Sequence, residues 1–248
     1  MLTLEPSLNC GGFLFISMKD LLTIIIPCKN EKDNIYKCVS FIAKQMDSNG
    51  VKVIIADTSD EAESLIWLYK TQLHFRNYLD IQIIEGGFPA KARLNGSIFV
   101  TTPYILFLDA DIMLQDKFIL SKCLSYNTDL VTVPFQTEKG FNWIFRLFDF
   151  QQQLSNLLGT PFAIGGFQLW KTEAYWKTGG YNETHLFAED YWVSQKAESM
   201  KIHNTKGVWT SARRFKNKGF FYMAWLSIKC YFNRNNSEFF KKSHNYWN

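Results

Sequence analysis

Asp109-Ala110-Asp111 sets two carboxylates at i and i+2, directly after the apolar run YILFL at 104–108. Hard divalent cations such as Mg²⁺ and Mn²⁺ take oxygen ligands and are often shared with substrate phosphates. The pair also suits a plain strand-to-loop turn, where Asp is common. Glu189-Asp190 follows a glycine-containing stretch and heads a helical pattern. A carboxylate there can take the proton of an acceptor hydroxyl, and it can equally complement the helix dipole. Asp57 ends the run VIIAD. A lone carboxylate at a strand end can accept from a base N–H or a ribose hydroxyl. Ser59 or Asp60 is the expected cap of the helix that follows.

Residues 27–31 (PCKNE) contain no glycine. They form neither a dinucleotide fingerprint nor a P-loop, which argues against a Rossmann dehydrogenase and a Walker NTPase. Asn30 is placed to cap the next helix. Arg213-Arg214 suits bidentate phosphate binding or a solvated basic face. Lys91 and Arg93 open a helix, where they can touch phosphate or face solvent. The four histidines lack metal-ligand spacing. His185 stands four residues before Glu189, and the other three are expected at the surface.

These residues need a frame. Residues 21–27 (LLTIIIP) are a continuous, β-branched apolar run ended by proline, and 51–56 and 104–108 (YILFL) likewise read as strands buried on both faces. A shorter strand is expected at 81–84. Helical stretches alternate with them: Ile35, Val39, Ile42 and Met46 recur at helical spacing, and helices are expected at 61–78 and 90–100. This rhythm predicts right-handed βαβ units and a largely parallel sheet flanked by helices. In such sheets ligands bind beyond the carboxyl ends of the strands, so residues 27–31, 57–60, 85–87 and 109–111 should cluster. The second half is less regular. A strand is expected at 130–135, a helix at 141–158, a loop and strand at 161–170, a helix at 189–200 and a basic loop at 211–218.

The 248 residues suit one domain, or one with an appendage. With 47% hydrophobic and 20% charged residues, wholesale disorder is excluded. The net charge of +4 is unevenly spread. From Lys196 onward there are 11 basic and 2 acidic residues, against 16 and 21 before it. Such asymmetry points to a tail that meets something anionic, a membrane surface or a phosphate-bearing ligand. The five cysteines show no C-x-x-C spacing, which predicts a reducing, cytoplasmic setting without a disulfide framework or structural zinc. No apolar run approaches the ~20 residues that span a bilayer.

Taken in order, seven segments resemble family 2 of the glycosyltransferases, which use nucleotide-sugars and have the GT-A fold. They are TIIIPCKNEKDNI (23–35), VIIADTSDE (53–61), AKARLNGS (90–97), YILFLDADI (104–112), AIGGFQLWKTEAYWKTGGYNE (163–183), FAEDYWVSQKAE (187–198) and SARRF (211–215). The resemblance implies an α/β GT-A fold with a Rossmann-like first half and a mixed second half. It implies a nucleotide pocket formed by Pro27, Asn30 and Glu31, with Asp57 reading the base, usually uracil. Lys91 and Arg93 match a basic segment near the diphosphate. Asp109 and Asp111 match the family's D-x-D, with Asp111 the direct ligand of Mn²⁺ or Mg²⁺. Gly165 and Gly166 match the loop that leaves room for donor sugar and acceptor. Asp190 matches the general base of an inverting transfer, with Glu189 beside it, and Arg213 and Arg214 match a basic motif of some members. The second-strand motif departs from the family: Ala56 and Thr58 flank Asp57, where a further Asp is common. No Q-x-x-R-W motif appears, which argues against a polymer synthase. The rival readings are a degenerate nucleotide-sugar-binding module and a sugar-phosphate nucleotidyltransferase; the latter needs a glycine-rich first loop.

The expected division is an extension at 1–18, the transferase domain at 19–215 and a basic aromatic tail at 216–248. Truncation to Met18 is expected to leave folding and activity intact. The tail segment FFYMAWLSIKCYF (220–232), flanked by basic residues, reads equally as an interfacial helix on an anionic membrane and as a helix packed on the domain. The expected partners are a nucleotide-sugar donor, a carbohydrate or lipid-linked acceptor and an anionic membrane surface. The expected place is the cytoplasm, or the cytoplasmic face of a membrane. No nucleic-acid recognition motif is present.

Overall fold

The protein was analysed as a computed structural model, which describes residues 17–138 and 140–244. Among the described residues nine strands form two sheets: β1 (Leu22–Cys28), β2 (Lys52–Asp57), β3 (Asp80–Glu85), β4 (Tyr104–Leu108), β5 (Met113–Leu114), β6 (Leu130–Thr132), β7 (Phe167–Lys171), β8 (Met200–Ile202) and β9 (Val208–Trp209). The main sheet has the order β3-β2-β1-β4-β7-β6-β8, and β5 pairs with β9 in a small second sheet. β1 to β4 run parallel, while β7 is antiparallel to both β4 and β6. This is the expected mixed α/β sheet. The chain winds outward from β1 to β3 and then returns to place β4 on β1's other side. That reversal is a switch point, where α/β sheets open a crevice at the strands' carboxyl ends.

β1 is apolar on both faces because both are covered. Ile24 and Ile26 join Val39 and Ile42 of the helix Asp33–Ala43 in one core cluster. Ile25 points into the other, with Phe107, Tyr175 and Tyr181. Each such side chain contributes about 1.5–3 kcal/mol relative to exposure. Met18 is also buried in the first cluster, so the core begins inside the expected extension. Residues 1–16 lie outside the described residues, and so does most of what the truncation expectation concerns.

The helix Pro89–Ser97 lies closest to the sheet. Ala90, Ala92, Gly96 and Ser97 form its buried side, and a Cβ on Gly96 would come within 2.6 Å of Ile25 Cγ2. Small residues let this helix press onto the sheet and carry Arg93 beneath the crevice.

Elsewhere the elements differ from expectation. The helix expected at 61–78 is Ala62–Phe75, ended where the N–H groups of Tyr78 and Leu79 both donate to the Phe75 carbonyl. The helix expected at 189–200 stops at Ser194. Ser194 Oγ donates back to the Asp190 carbonyl at 2.6 Å while accepting from Ala163 N–H at 2.9 Å, and the chain then pairs as β8 beside β6. The expected basic loop is the short helix Arg213–Lys218, because Phe215 anchors it against Phe145 and Phe148 of the helix Asn142–Leu157. The tail forms a helix over Phe220–Phe232. Among the described residues no helix is long and apolar enough to cross a membrane.

Candidate functional site

The carboxyl ends of β1, β2 and β3 are stitched together. Thr58 N–H donates to the Cys28 carbonyl at 2.9 Å, and Gly86 N–H to the Asp57 carbonyl at 2.8 Å. Gly86 admits no side chain, since a Cβ would lie 2.7 Å from the Ala56 carbonyl. Asn30 adopts a left-handed backbone with φ +53°, which Asn tolerates well. It does not cap the following helix. It joins the β2 loop instead: its Nδ2 donates to Asp60 at 2.7 Å, and its Oδ1 accepts from the N–H groups of Asp60 and Glu61. The helix Ala62–Phe75 therefore begins with its leading amides held by Asn30, and neither Ser59 nor Asp60 makes a capping bond to it. Asp57 accepts from Ser59 N–H at 3.1 Å and from Ser59 Oγ at 2.7 Å, which orients its carboxylate at the crevice rim.

Arg93 lies at the centre, with a side chain only 3% exposed. Its Nη2 donates to Asp109 Oδ1 at 2.6 Å, and its Nη1 donates to Glu189. The ring of Tyr181 lies 5.3 Å from the guanidinium carbon. Burial opposes the charge on Arg93, but Asp109, Glu189 and Asp190 outweigh it and hold the guanidinium firmly protonated. Arg93 therefore faces neither solvent nor an open phosphate path. Lys91 is exposed, with its stem over Gly87.

Glu189 and Asp190 have different environments. Glu189 is buried against Arg93, whereas Asp190 is half-buried. Asp190 Oδ2 accepts from Gly165 N–H at 2.6 Å and its Oδ1 from Tyr191 N–H at 2.8 Å. Burial raises both carboxyls above the usual range, with Arg93 opposing the shift in each. A Cβ on Gly165 would lie 3.0 Å from Arg93 Nη2 and 3.1 Å from Asp190 Oδ2. A Cβ on Gly166 would lie 3.0 Å from the Phe135 ring. Ala188, directly before the pair, is left-handed with φ +46°. Strained backbone at a non-glycine residue is common where a site is being held in shape.

Asp109 and Asp111 leave β4 at the switch point. Asp109 N–H donates to the Gly166 carbonyl at 3.2 Å, and the Asp109 side chain is 35% exposed. Burial, the Asp109 carboxylate and then Glu31 push Asp111 up to about 7. Glu31 accepts from Arg213 Nη2 at 2.8 Å, and Arg214 lies exposed next in the chain. Pro27, half-buried at the end of β1, completes the first loop. The small sheet explains the arrival of the basic helix: β9 pairs with β5 immediately after the D-x-D and delivers residues 211–214 to the crevice. The predicted clustering of the strand ends at 27–31, 57–60, 85–87 and 109–111 is thus observed, and Arg213, 182 positions from Glu31, joins it from outside that set.

The sequence reading missed Gln168 and Tyr181. Gln168 is fully buried; its Nε2 donates to the Ala163 and Asp190 carbonyls, and its Oε1 accepts from Tyr181 Oη and Trp170 Nε1. The signal was a lone amide inside the apolar strand FQLWK. His185 is buried rather than part of the crevice, bonded through Nε2 to Ser237 Oγ at 3.1 Å and packed on Trp192 and Phe240. Cys28, Cys38, Cys123 and Cys230 are free, buried thiols, and burial raises all four above the usual thiol range. Cys10 lies outside the described residues.

A parallel sheet with an antiparallel continuation, a D-x-D at its switch point and an acidic pair facing it define a glycosyltransferase domain of GT-A type. A family model for glycosyl transferase family 2 matches residues 23–179. The chain belongs to that family. No curated protein sequence matches it. Among solved structures, it is similar to TarS residues 1–349 of S. aureus in complex with UDP-GlcNAc, at 16% identity and a TM-score of 0.60, covering 77% of this chain and 58% of that one. It is also similar to the mannosyltransferase PcManGT of Pyrobaculum calidifontis in complex with GDP-Man and Mn²⁺, at 18% identity and a TM-score of 0.63, covering 82% and 59%. At these identities the likeness is one of fold. The chain spans less than two thirds of the length of either structure.

Proposed function

We propose that this protein transfers a sugar from a nucleoside-diphosphate sugar, a UDP-sugar in the first instance, to an acceptor hydroxyl with inversion at the anomeric carbon. The observation that carries this reading is the Arg93 bridge. One buried guanidinium ties the D-x-D residue Asp109 to Glu189, the neighbour of Asp190, across 96 positions of sequence. Donor-side and acceptor-side carboxylates are thereby fixed in one network. The complexes of the two structural relatives, with UDP-GlcNAc and with GDP-Man, are consistent with a nucleotide-sugar donor.

Asp190 is the proposed general base. Two backbone N–H donors orient its carboxylate and still leave lone pairs to accept the acceptor's proton. Its raised pKa brings it closer to the operating pH, where a base works best. As the acceptor oxygen bonds to the anomeric carbon, the bond from that carbon to the diphosphate breaks on the opposite side. Asp190 takes the hydroxyl proton, and the diphosphate leaves with the electron pair. Asp57 and Asn30 form the base-side wall, with Pro27 and Glu31 below it. Arg213 and Arg214 bring positive charge toward the departing diphosphate, while Gly165 and Gly166 keep the sugar's space open.

Asp109 and Asp111 fit a hard divalent cation, Mn²⁺ or Mg²⁺. Both offer oxygen; burial first, and then the neighbouring Asp109 and Glu31 charges, raise Asp111, and a bound cation would offset both. Among the described residues no third acidic, histidine or cysteine side chain joins them, so donor oxygens and water would fill the remaining positions. Such an ion supplies Lewis-acid neutralisation of the leaving diphosphate.

Release of nucleoside diphosphate from UDP- and GDP-sugars, compared between wild type and Asp190→Asn, tests the assignment. The variant should lose about 10²–10⁴-fold in turnover with donor affinity retained, the usual worth of a general base. Turnover equal to wild type would refute the role of Asp190.

A further inference from the structure

Two helices that touch at their first turns expose apolar faces. On the helix Asn142–Leu157, Trp143, Leu147, Phe150, Leu154 and Leu157 fall at steps of four, three, four and three, and all are exposed. Phe150 is 61% exposed and Leu157 83%. On the helix Phe220–Phe232, Phe221, Trp225, Ile228 and Phe232 follow the same spacing and are also exposed, Phe221 to 87%. This spacing places each set on a single stripe. The stripes meet where Trp143 packs on Phe220 at 4.8 Å and Phe220 on Phe221 at 5.6 Å. The inner faces are occupied: Met223, Leu226 and Cys230 are buried, and Leu226 and Cys230 share a cluster with Phe187 and Phe240. Apolar surface arranged this way on a soluble chain marks an interaction site.

Charge identifies the occupant. Between residues 211 and 236 there are six basic residues (Arg213, Arg214, Lys216, Lys218, Lys229 and Arg234) and no acidic one. Lys229 lies over the exposed Trp225 ring at 3.6 Å, a cation beside an aromatic on the stripe itself. Arg213 and Lys216 are paired with Glu31 and Glu138, and Asp149 lies on the helix 142–157, but the helix Phe220–Phe232 itself carries and is flanked by cations only, Lys218, Lys229 and Arg234. A Trp- and Phe-rich stripe with that basic flank suits the interface of an anionic bilayer, where rings enter the headgroup boundary and Lys and Arg meet lipid phosphate, and this favours lipid over a protein partner.

We infer that the stripes of helices 142–157 and 220–232 form one docking surface for the face of an anionic lipid membrane. Both readings of the tail then hold at once, with its inner face packed and its outer face on lipid. The inference deepens the transfer reading by one step. Tyr191 and Trp192 of the helix bearing Asp190 pack against the tail cluster, so docking would bring the acceptor side to the membrane and favour a lipid-linked acceptor.

Flotation of the full chain with vesicles tests the surface without any donor, so its failure stays separate from failure of the transfer reading. The chain should float with phosphatidylcholine vesicles containing 30% (roughly) phosphatidylglycerol and lose much of that binding at about 0.5 M salt, where surface charge is screened. Phe150→Glu and Phe221→Glu alter exposed side chains, so both should fold with wild-type melting temperatures. Each should weaken partition about tenfold or more, since each removes one large apolar side chain from the lipid boundary. Absence of flotation with anionic vesicles would overturn the inference. So would flotation that both substitutions leave intact, or a stable dimer that buries these stripes and does not float.

Discussion

Arg93 carries its charge where solvent cannot reach it, and it does so because Asp109 and Glu189 take one guanidinium nitrogen each. Replacing it by Met leaves Glu189 buried without its counter-charge. Breaking one partner of a buried pair typically costs about 3–5 kcal/mol, so Arg93→Met should unfold at clearly lower denaturant. Arg93→Met/Glu189→Gln, which removes both charges, should recover much of that loss; no recovery would mean that the pair is not what holds the site. Asp111 adds a pH signature. Its carboxyl is raised to about 7, so at pH 6 a bound cation must first displace a proton. Mn²⁺ affinity should therefore rise from pH 6 to 8, with proton release visible by titration calorimetry in buffers of different ionisation enthalpy. At this scale the sequence was informative where chemistry coincides with an element's end. Asp109, Asp111, Glu189 and Asp190 announce themselves there. The burial of Arg93 is a tertiary event, created by small residues that press its helix onto the sheet. The Gln168–Tyr181 network joins positions 13 residues apart, and its only local trace is the lone amide of Gln168 inside an apolar strand.

The helix Pro89–Ser97 shows how an element sets a residue. Gly96 lets it approach Ile25, so Gly96→Val should lift the helix, lower the melting temperature and reduce turnover through the displaced Arg93. The helix that bears Asp190 depends on a different support, the buried ring of His185 against Trp192 and Phe240. Burial, aided by Lys196 and Lys241, lowers His185 to about 4 from 6.5. Between those values the folded protein binds fewer protons than the unfolded chain, so stability rises with pH there. This contribution is complete above about pH 6.5 and is lost as pH falls toward 4. Melting curves at pH 7.5 and 5 should separate for wild type and converge for His185→Phe. The long elements were legible: β1, β2 and β4 are apolar on both faces because both faces are covered. Of the short ones only β6 was, inside the strand expected at 130–135 but ending at Thr132. β5, β8 and β9 have two or three residues each and exist only because a neighbour pairs with them. Phe215, packed on Phe145 and Phe148, is the apolar anchor of a helix where a basic loop was expected, and Arg213 and Lys216 tie it further to Glu31 and Glu138.

At the scale of the molecule, the sheet order explains why residues so far apart in sequence act together. The reversal at β1 and β4 opens the crevice, β7 returns antiparallel to bring Gly165 and Gly166, and the β5–β9 pair folds the basic segment back over Glu31. The same C-terminal half carries the exposed stripes. The crevice is proposed to bind a nucleotide-sugar together with a divalent cation held by Asp109 and Asp111. The most direct measurement is the melting temperature with UDP-, GDP- and dTDP-sugars, each with and without Mn²⁺, in wild type and Asp111→Ala. A ligand that binds only the folded state adds about 2.7 kcal/mol of stability at 100 times its dissociation constant, and so raises the midpoint. The account predicts a Mn²⁺-dependent rise with one nucleotide class, largest for UDP-sugars, that disappears in Asp111→Ala. No rise with any donor, or a rise that Asp111→Ala leaves untouched, would contradict it.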